Sequence, residues 1–345
     1  MKNWEKYRLN PSLSKIQIQR AKIKDLIREF FKKRGFLEVE TPILVKYPGM
    51  EPYLSPISLK FRDEKNKTYK GFLITSPEYS LKKMLAAGFE KIFEITKAFR
   101  QEESFGPLHN SEFTILEWYR MKADYFDIMK DTEELIYFLV KKLYKRDYFY
   151  YQNQKIDVSL PFQRISLKEA FLKFSGINLD KTKDINYFYK LVKEKGYEIS
   201  KKEDQNDLFS LIFLNEIEPN LDKSKPVFLY DYPLYQGALA KRKSKKSFYV
   251  ERFELFIGGL EIANAFSELL DYKEQLKRLK EEQKLRKKLK KEFIEIDKGF
   301  IDALKLGIPP TGGIALGVDR LEMLLLDIKD INELLPFPAK QMFHD

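Results

Sequence analysis

Between Phe99 and Tyr119 the chain reads FRQEESFGPLHNSEFTILEWY, in which one arginine, four glutamates, His109 and several aromatic residues crowd around a Gly-Pro turn. A core strand has little use for so many ionisable groups and a surface loop little use for so many rings, so the segment reads as a site. The rest of the composition narrows its chemistry. No cysteine and only two histidines occur in 345 residues. That excludes disulfides, thiolate zinc centres, cysteine nucleophiles and a histidine-rich metal site. A bound metal would have to be held by carboxylates, which favours magnesium arriving with phosphates. Neither GxxxxGK[ST] nor GxGxxG is present, so a P-loop and a dinucleotide-binding turn are both ruled out.

These residues need elements to position them. IFEITKAFRQEE and EFTILEWYRM are extended runs on either side of the Gly-Pro turn and predict an antiparallel pair joined by a long polar loop. Ile23, Leu26, Ile27, Phe30 and Phe31 recur at helical spacing and predict an amphipathic helix ending near Arg34-Gly35. FLEVETPILV alternates up to Pro42, which cannot donate to a ladder and so marks a strand edge or interface. FLITSPEYSLKKMLAAGF reads as strand, turn and helix, RFELFIGGLEIANAF as a hairpin around Gly258-Gly259, and GGIALGVDRLEMLLL as a strand running into a helix. From about 124 to 225 the patterns are helical and carry no chemical signature, which predicts one domain, 1–345, with a helical insertion. The expected class is α/β (α+β), an antiparallel sheet flanked by helices.

The formal charge of +11 is concentrated in two runs. KRKSKK at 241–246 supplies five positive charges, and 273–292 holds ten basic against four acidic residues. Such runs are ordinarily solvated surface; the alternative is a surface for an acidic protein or an RNA. No run approaches a membrane span and the N-terminus lacks a signal-peptide core, so no membrane association and a cytoplasmic location are expected.

Phe99-Arg100-Gln101-Glu102, followed by a loop and His109-Asn110-Ser111-Glu112-Phe113, resembles motif 2 of the class II aminoacyl-tRNA synthetases. The helix and strand ending at Pro42 resemble motif 1, the family's dimer interface, and Gly317-Val318-Asp319-Arg320 resembles motif 3. SPEYSLKKMLAAGFEKIFEI, HNSEFTILEWY, RFELFIGGLEIANAFSEL and LLPFPAK are similar to the lysyl branch. Lysyl-tRNA synthetases carry an anticodon-binding barrel before the catalytic domain. The 41 residues before Pro42 leave no room for one, so the chain most resembles the elongation factor P (R)-β-lysine ligases. Ser76 before Pro77-Glu78, and Ala315 where tRNA-charging relatives have glycine, accord with that family. Ala265, and Leu108 in place of an arginine, depart from the tRNA-charging pattern.

The resemblance implies activation of (R)-β-lysine or lysine with ATP and Mg2+, transfer to a lysine side chain of elongation factor P rather than to tRNA, and a homodimer. It implies catalytic roles for Arg100, bridging carboxylate and α-phosphate, and Arg320, holding the γ-phosphate. ATP would also meet Glu102 at the adenine amine, Phe113 stacking on adenine opposite Arg320, His109, Asn110, and Gly313 and Gly317 where backbone approaches ligand. Glu254 and Glu261 would hold magnesium, Glu254 thereby also contacting ATP. Glu78, Glu117, Glu268 and Tyr119 would surround the two amino groups. Asn264 and Phe266 would orient the carboxylate and side chain, with Ser76 and Ala315 shaping the pocket. A truncated lysyl-tRNA synthetase and a non-catalytic synthetase-like regulator are the rival expectations.

Overall fold

In the computed structural model, which describes residues 3–200, 203–237 and 239–343, the central sheet has eight strands. Across it they run Leu37–Glu38, Lys91–Phe99, Glu112–Met121, Thr311–Gly317, Leu260–Ser267, Tyr249–Ile257, Val227–Pro233 and Gln163–Ser166. Every neighbouring pair is antiparallel except the two at the edges. The architecture is an antiparallel-dominated sheet flanked by helices, as expected.

Successive strand residues point to opposite faces, and that alternation divides the labour of the sheet. Phe93, Leu116, Trp118, Ile314, Leu316, Ala263, Ala265, Phe253 and Leu255 belong to one buried cluster with Phe30 and Phe31 of the Pro11–Lys33 helix and with the Tyr125–Tyr144 helix. Phe31 stacks on Phe93 with ring centroids 4.9 Å apart and leans on Trp118 at 5.0 Å. Full burial of such side chains contributes about 1.5–3 kcal/mol each. The opposite face carries the residues of interest in two registered rows. Glu254, Asn264, Ala315, Glu117 and Glu94 lie across one; Arg252, Phe266, Gly313, Tyr119 and Ile92 lie across the next.

The predicted helix ends on Arg34 as its C-cap, and the 91–99 and 112–121 strands pair in full register. The Gly258-Gly259 turn has φ of 60° and 83°, a left-handed pair that glycine adopts without strain. Two expectations change. FLEVETPILV forms only the short strands Leu37–Glu38 and Leu44–Val45, because Pro42 between them cannot continue a ladder. The 124–225 stretch is not purely helical. Its first helix, 125–144, is part of the core behind the sheet, a hairpin follows at Tyr148–Tyr151 and Gln154–Asp157, and Gln163–Ser166 forms the sheet edge. The hairpin turns on Gln152 and Asn153, whose positive φ values no apolar periodicity reveals. Among the described residues no helix is long and apolar enough to cross a membrane.

Candidate active site

The loop between the 91–99 and 112–121 strands and the start of the Val318–Leu325 helix enclose a cavity of ≈ 300 Å3. Arg100, Glu103, His109, Asn110, Phe113, Glu261, Asn264, Ala315, Gly317 and Arg320 line it. Arg320 is free to face it because its neighbour is committed elsewhere. Asp319, buried, accepts from Arg20 Nη2 at 2.7 Å and from the Thr114 backbone N–H at 2.6 Å, while Arg20 also donates to Glu322 at 2.5 Å. The Arg320 guanidinium donates to the Glu261 carbonyl at 2.9 Å and lies 3.0 Å from His109 Nε2. Burial and the Arg320 charge push the His109 imidazole down, so it accepts as the neutral ring.

Arg100 Nε is buried and has no hydrogen-bond partner among the described residues, and Arg100 Nη1 lies 4.0 Å from Glu103 Oε1. An orphaned charged donor at a cavity wall fits an anion. The Arg100 guanidinium sits 4.9 Å from the Phe113 ring centroid.

Three ATP-end expectations are placed differently. Glu102, at φ 66°, turns outward, where Ser55 Oγ donates to it at 2.6 Å; Glu103 lines the cavity instead. Asn110 lines the cavity, but both ends of its amide are used in the scaffold, donating to the Glu112 carbonyl at 2.6 Å and accepting from the Ala339 N–H at 2.8 Å. Gly313 lies at the other end of the site, where a Cβ would collide with Glu268 Oε1 and the Tyr119 ring.

That other end is a buried acidic cup. Ser76 Oγ donates to Glu117 Oε1 at 2.5 Å and accepts from the Glu78 N–H at 3.1 Å; Tyr119 donates to Glu117 Oε2 at 3.2 Å. Burial, then the Glu78 charge, pushes the Glu117 carboxyl well up. Burial pushes Glu268 up to about 8, against the pull of Lys82. Phe266 closes the wall, 8% exposed. So the structure gathers Glu78, Glu117, Glu268, Tyr119, Phe266, Ser76 and Gly313 at one end, with Asn264, Ala315 and Gly317 joining the arginine cavity.

Glu254 and Glu261 lie on the two strands of the Gly-Gly hairpin. Glu254, its side chain 12% exposed, is pushed up to about 7 by desolvation and by Glu261, against Arg252, which donates to it at 2.6 Å. Two hard oxygen donors, with Glu254 pushed up by the charge of Glu261, fit a magnesium ion delivered with phosphates. No group of three or more His, Cys, Asp or Glu suited to a metal occurs among the described residues.

Sequence reasoning missed Lys82 and Arg252. Lys82 is 1% exposed, with Nζ 2.5 Å from both Glu78 and Glu268. Its i, i+4 spacing from Glu78 on the Glu78–Ala86 helix was the available signal. Arg252 joins Glu254 to Asn264 (2.9 Å) and the Gln236 carbonyl (2.6 Å), a convergence that only the register creates. The two basic runs also meet. Lys241–Lys243, Lys245, Lys273, Lys277 and Arg278 line one open cavity of ≈ 1160 Å3 whose wall includes Glu268.

A family model described as tRNA synthetases class II (D, K and N) matches residues 2–341. The chain is 38% identical over 323 residues to an elongation factor P (R)-β-lysine ligase of Histophilus somni, covering 93% of this chain and 94% of that one. It is likewise 38% identical over 322 residues to the one from Actinobacillus succinogenes, with 92% and 93% covered. A lysine–tRNA ligase of Carboxydothermus hydrogenoformans is 37% identical over 333 residues, 96% of this chain and 66% of that protein. With the fold, the paired arginines and these relatives in agreement, the chain belongs to the class II tRNA synthetases of the D, K and N group.

Proposed function

We propose that this protein activates (R)-β-lysine or lysine with ATP as an aminoacyl-adenylate and transfers it to a lysine side chain of elongation factor P. The observation that carries the reading is the sharing of one sheet face by two unlike ends, a cavity flanked by Arg100 and Arg320 and a buried cup of Glu78, Glu117 and Glu268. Relatives named as elongation factor P ligases are 38% identical over 93–94% of their own length, which supports a protein acceptor.

In the first step a substrate carboxylate oxygen bonds to the α-phosphorus and the bond to pyrophosphate breaks. Charge accumulates on phosphate oxygens, so fixed cations do most of the work. Arg100, with its orphaned Nε, donates to the carboxylate and α-phosphate; Arg320, oriented by His109 and the Glu261 carbonyl, holds the terminal phosphate. Glu254 and Glu261 would hold magnesium, which supplies further charge neutralisation on the phosphates. The cup binds the substrate's ammonium groups, and Asn264, held by Arg252, faces the carboxylate. In the second step an acceptor amine bonds to the carbonyl carbon, AMP leaves, and the amine's proton is released to water.

Ser76 and Ala315 border the substrate, and a methyl at 315 shifts fit by about 1–3 kcal/mol, enough to favour one lysine isomer. The basic groove beside Glu268 suits an acidic face of the protein acceptor. Leu37, Ile43 and Leu44, exposed around Pro42, suit a second copy of the chain.

Intact-mass analysis of elongation factor P and of tRNA, after incubation with ATP and α-lysine or either β-lysine enantiomer, tests the reading. A single lysyl increment on the factor is expected; an aminoacyl adduct on tRNA alone would replace this reading with the tRNA-charging one. Lys245→Glu with Lys277→Glu should slow modification of the factor while leaving pyrophosphate exchange intact, and equal loss of both would remove the docking assignment.

A further inference from the structure

The cup contains one group that neither the family resemblance nor the relatives assign. Lys82 lies in the second turn of the Glu78–Ala86 helix with its ammonium buried among carboxylates and rings. Nζ is 2.5 Å from Glu78 Oε1 and 2.5 Å from Glu268 Oε2, and it lies 5.5 Å from the Phe266 ring centroid and 5.8 Å from that of Phe300. A lysine at 1% exposure is rare unless paired, and this one is paired twice. It leaves Glu268 Oε1 buried, without a hydrogen-bond partner among the described residues, against Gly313 and the Tyr119 ring.

We propose that Lys82 is the positioning and charge-setting residue of the cup: it ties Glu78 to Glu268, aims the free Glu268 oxygen at the substrate, and fits the cup to a substrate with two ammonium groups. Three ionised carboxylates, Glu78, Glu117 and Glu268, would exceed a diamino substrate's positive charge by one, and Lys82 removes that excess from inside. The inference rests on the diamino-acid reading above and deepens it, since it says why the cup takes two ammonium groups rather than three or one.

The surroundings are consistent. Burial and the Glu78 charge push the Glu51 carboxyl up, and burial and the Glu51 charge push Glu282 up to about 8, so both are driven toward the neutral acid. Asp297, at the start of the neighbouring helix, is taken up by Lys83. Glu94, paired in register with Glu117, accepts from Thr41 and is itself pushed up by burial. The neighbouring glutamates hold Lys82 above the ordinary lysine range despite its burial, so it stays charged through neutral pH. In turn the ammonium lowers the proton affinity of Glu268.

That coupling gives a readout that packing alone does not move. In Lys82→Met, the acid limb of kcat/KM for the diamino acid in pyrophosphate exchange should move upward by about one pH unit or more, because Glu268 loses the charge that holds its proton affinity down. At neutral pH the KM for the diamino acid should rise about tenfold in consequence, with the KM for ATP unchanged. Lys82→Arg, which keeps the charge, should leave the limb near its original pH. If the methionine variant does not fold, as judged by thermal melting, Lys82→Gln carries the same test. A limb that stays in place in the neutral variants, or equal changes in the two KM values, would overturn the assignment. Absence of diamino-acid-dependent exchange in the unaltered enzyme would instead overturn the functional reading on which it rests.

Discussion

Arg100 and Arg320 stand with side chains 33% and 25% exposed around an open cavity, whereas Lys82 and Glu268, across the same sheet face, are 1% and 0% exposed. The arginine end is built on a loop and a helix start and is incompletely partnered; the cup is anionic, strand- and helix-borne, and already holds an internal ion pair. Buried carboxylates can be kept ready only if something compensates them, because desolvating a charge costs more than an imperfect partner returns. A guanidinium at a cavity mouth stays hydrated and can wait for its anion. On the proposed function, the end that would read the amino acid is thus built in advance, and the end that would take ATP is completed by its ligand.

The sharpest way to break this contrast is to remove a waiting cation. Arg320→Ala should lower kcat/KM for pyrophosphate exchange by about 10²–10³-fold with little change in melting temperature, since only transition-state charge stabilisation is lost. Glu117→Gln should act on the other end. It should raise the KM for the diamino acid by about 10–100-fold, in line with about 1.5–3 kcal/mol for a hydrogen bond to a charged group, and leave the KM for ATP unmoved. The pH dependence separates the ends without mutation. Glu268 is raised, so the empty cup gains a proton as pH falls through about 8, and the ammonium groups require the ionised form. Affinity for the diamino acid should therefore be fullest above that pH and fall by up to about tenfold per pH unit below it, as measured by calorimetry. The smallest effect is expected where a cavity residue proves to be scaffold. Asn110→Ala should cost about 1–3 kcal/mol of stability, read as a lower melting temperature, by leaving the Ala339 N–H and the Glu112 carbonyl unpartnered.

The same contrast explains what could be read from the chain alone. The cup residues were legible through the family resemblance; what brings Glu117, Tyr119 and Phe266 to one face is strand geometry, where period-two alternation fixes the face and register fixes the neighbours. Arg100 and Arg320 were legible as residues but not in their partners. Glu102 turns away at a positive φ, because loop backbone is set by local dihedrals that carry no hydrophobic period. Lys82 was hidden by the rule that lysine belongs in water. The middle of the chain misled in a related way. Tyr125–Tyr144 is helical as its pattern suggested, but the four-residue Gln163–Ser166 strand is too short to show alternation and owes its state to the Val227–Pro233 strand beside it.

The central claim is that an arginine-lined cavity and an acidic cup act together on one substrate that bears a carboxylate and two ammonium groups. Pyrophosphate exchange compared between lysine or β-lysine and norleucine, which has the carboxylate and a single ammonium, tests it most directly. The account predicts exchange with a diamino acid at least about 100-fold more efficient than with norleucine, the order expected when a buried charged acceptor is left unpaired. Equal exchange with norleucine, or exchange independent of any amino acid, would contradict it.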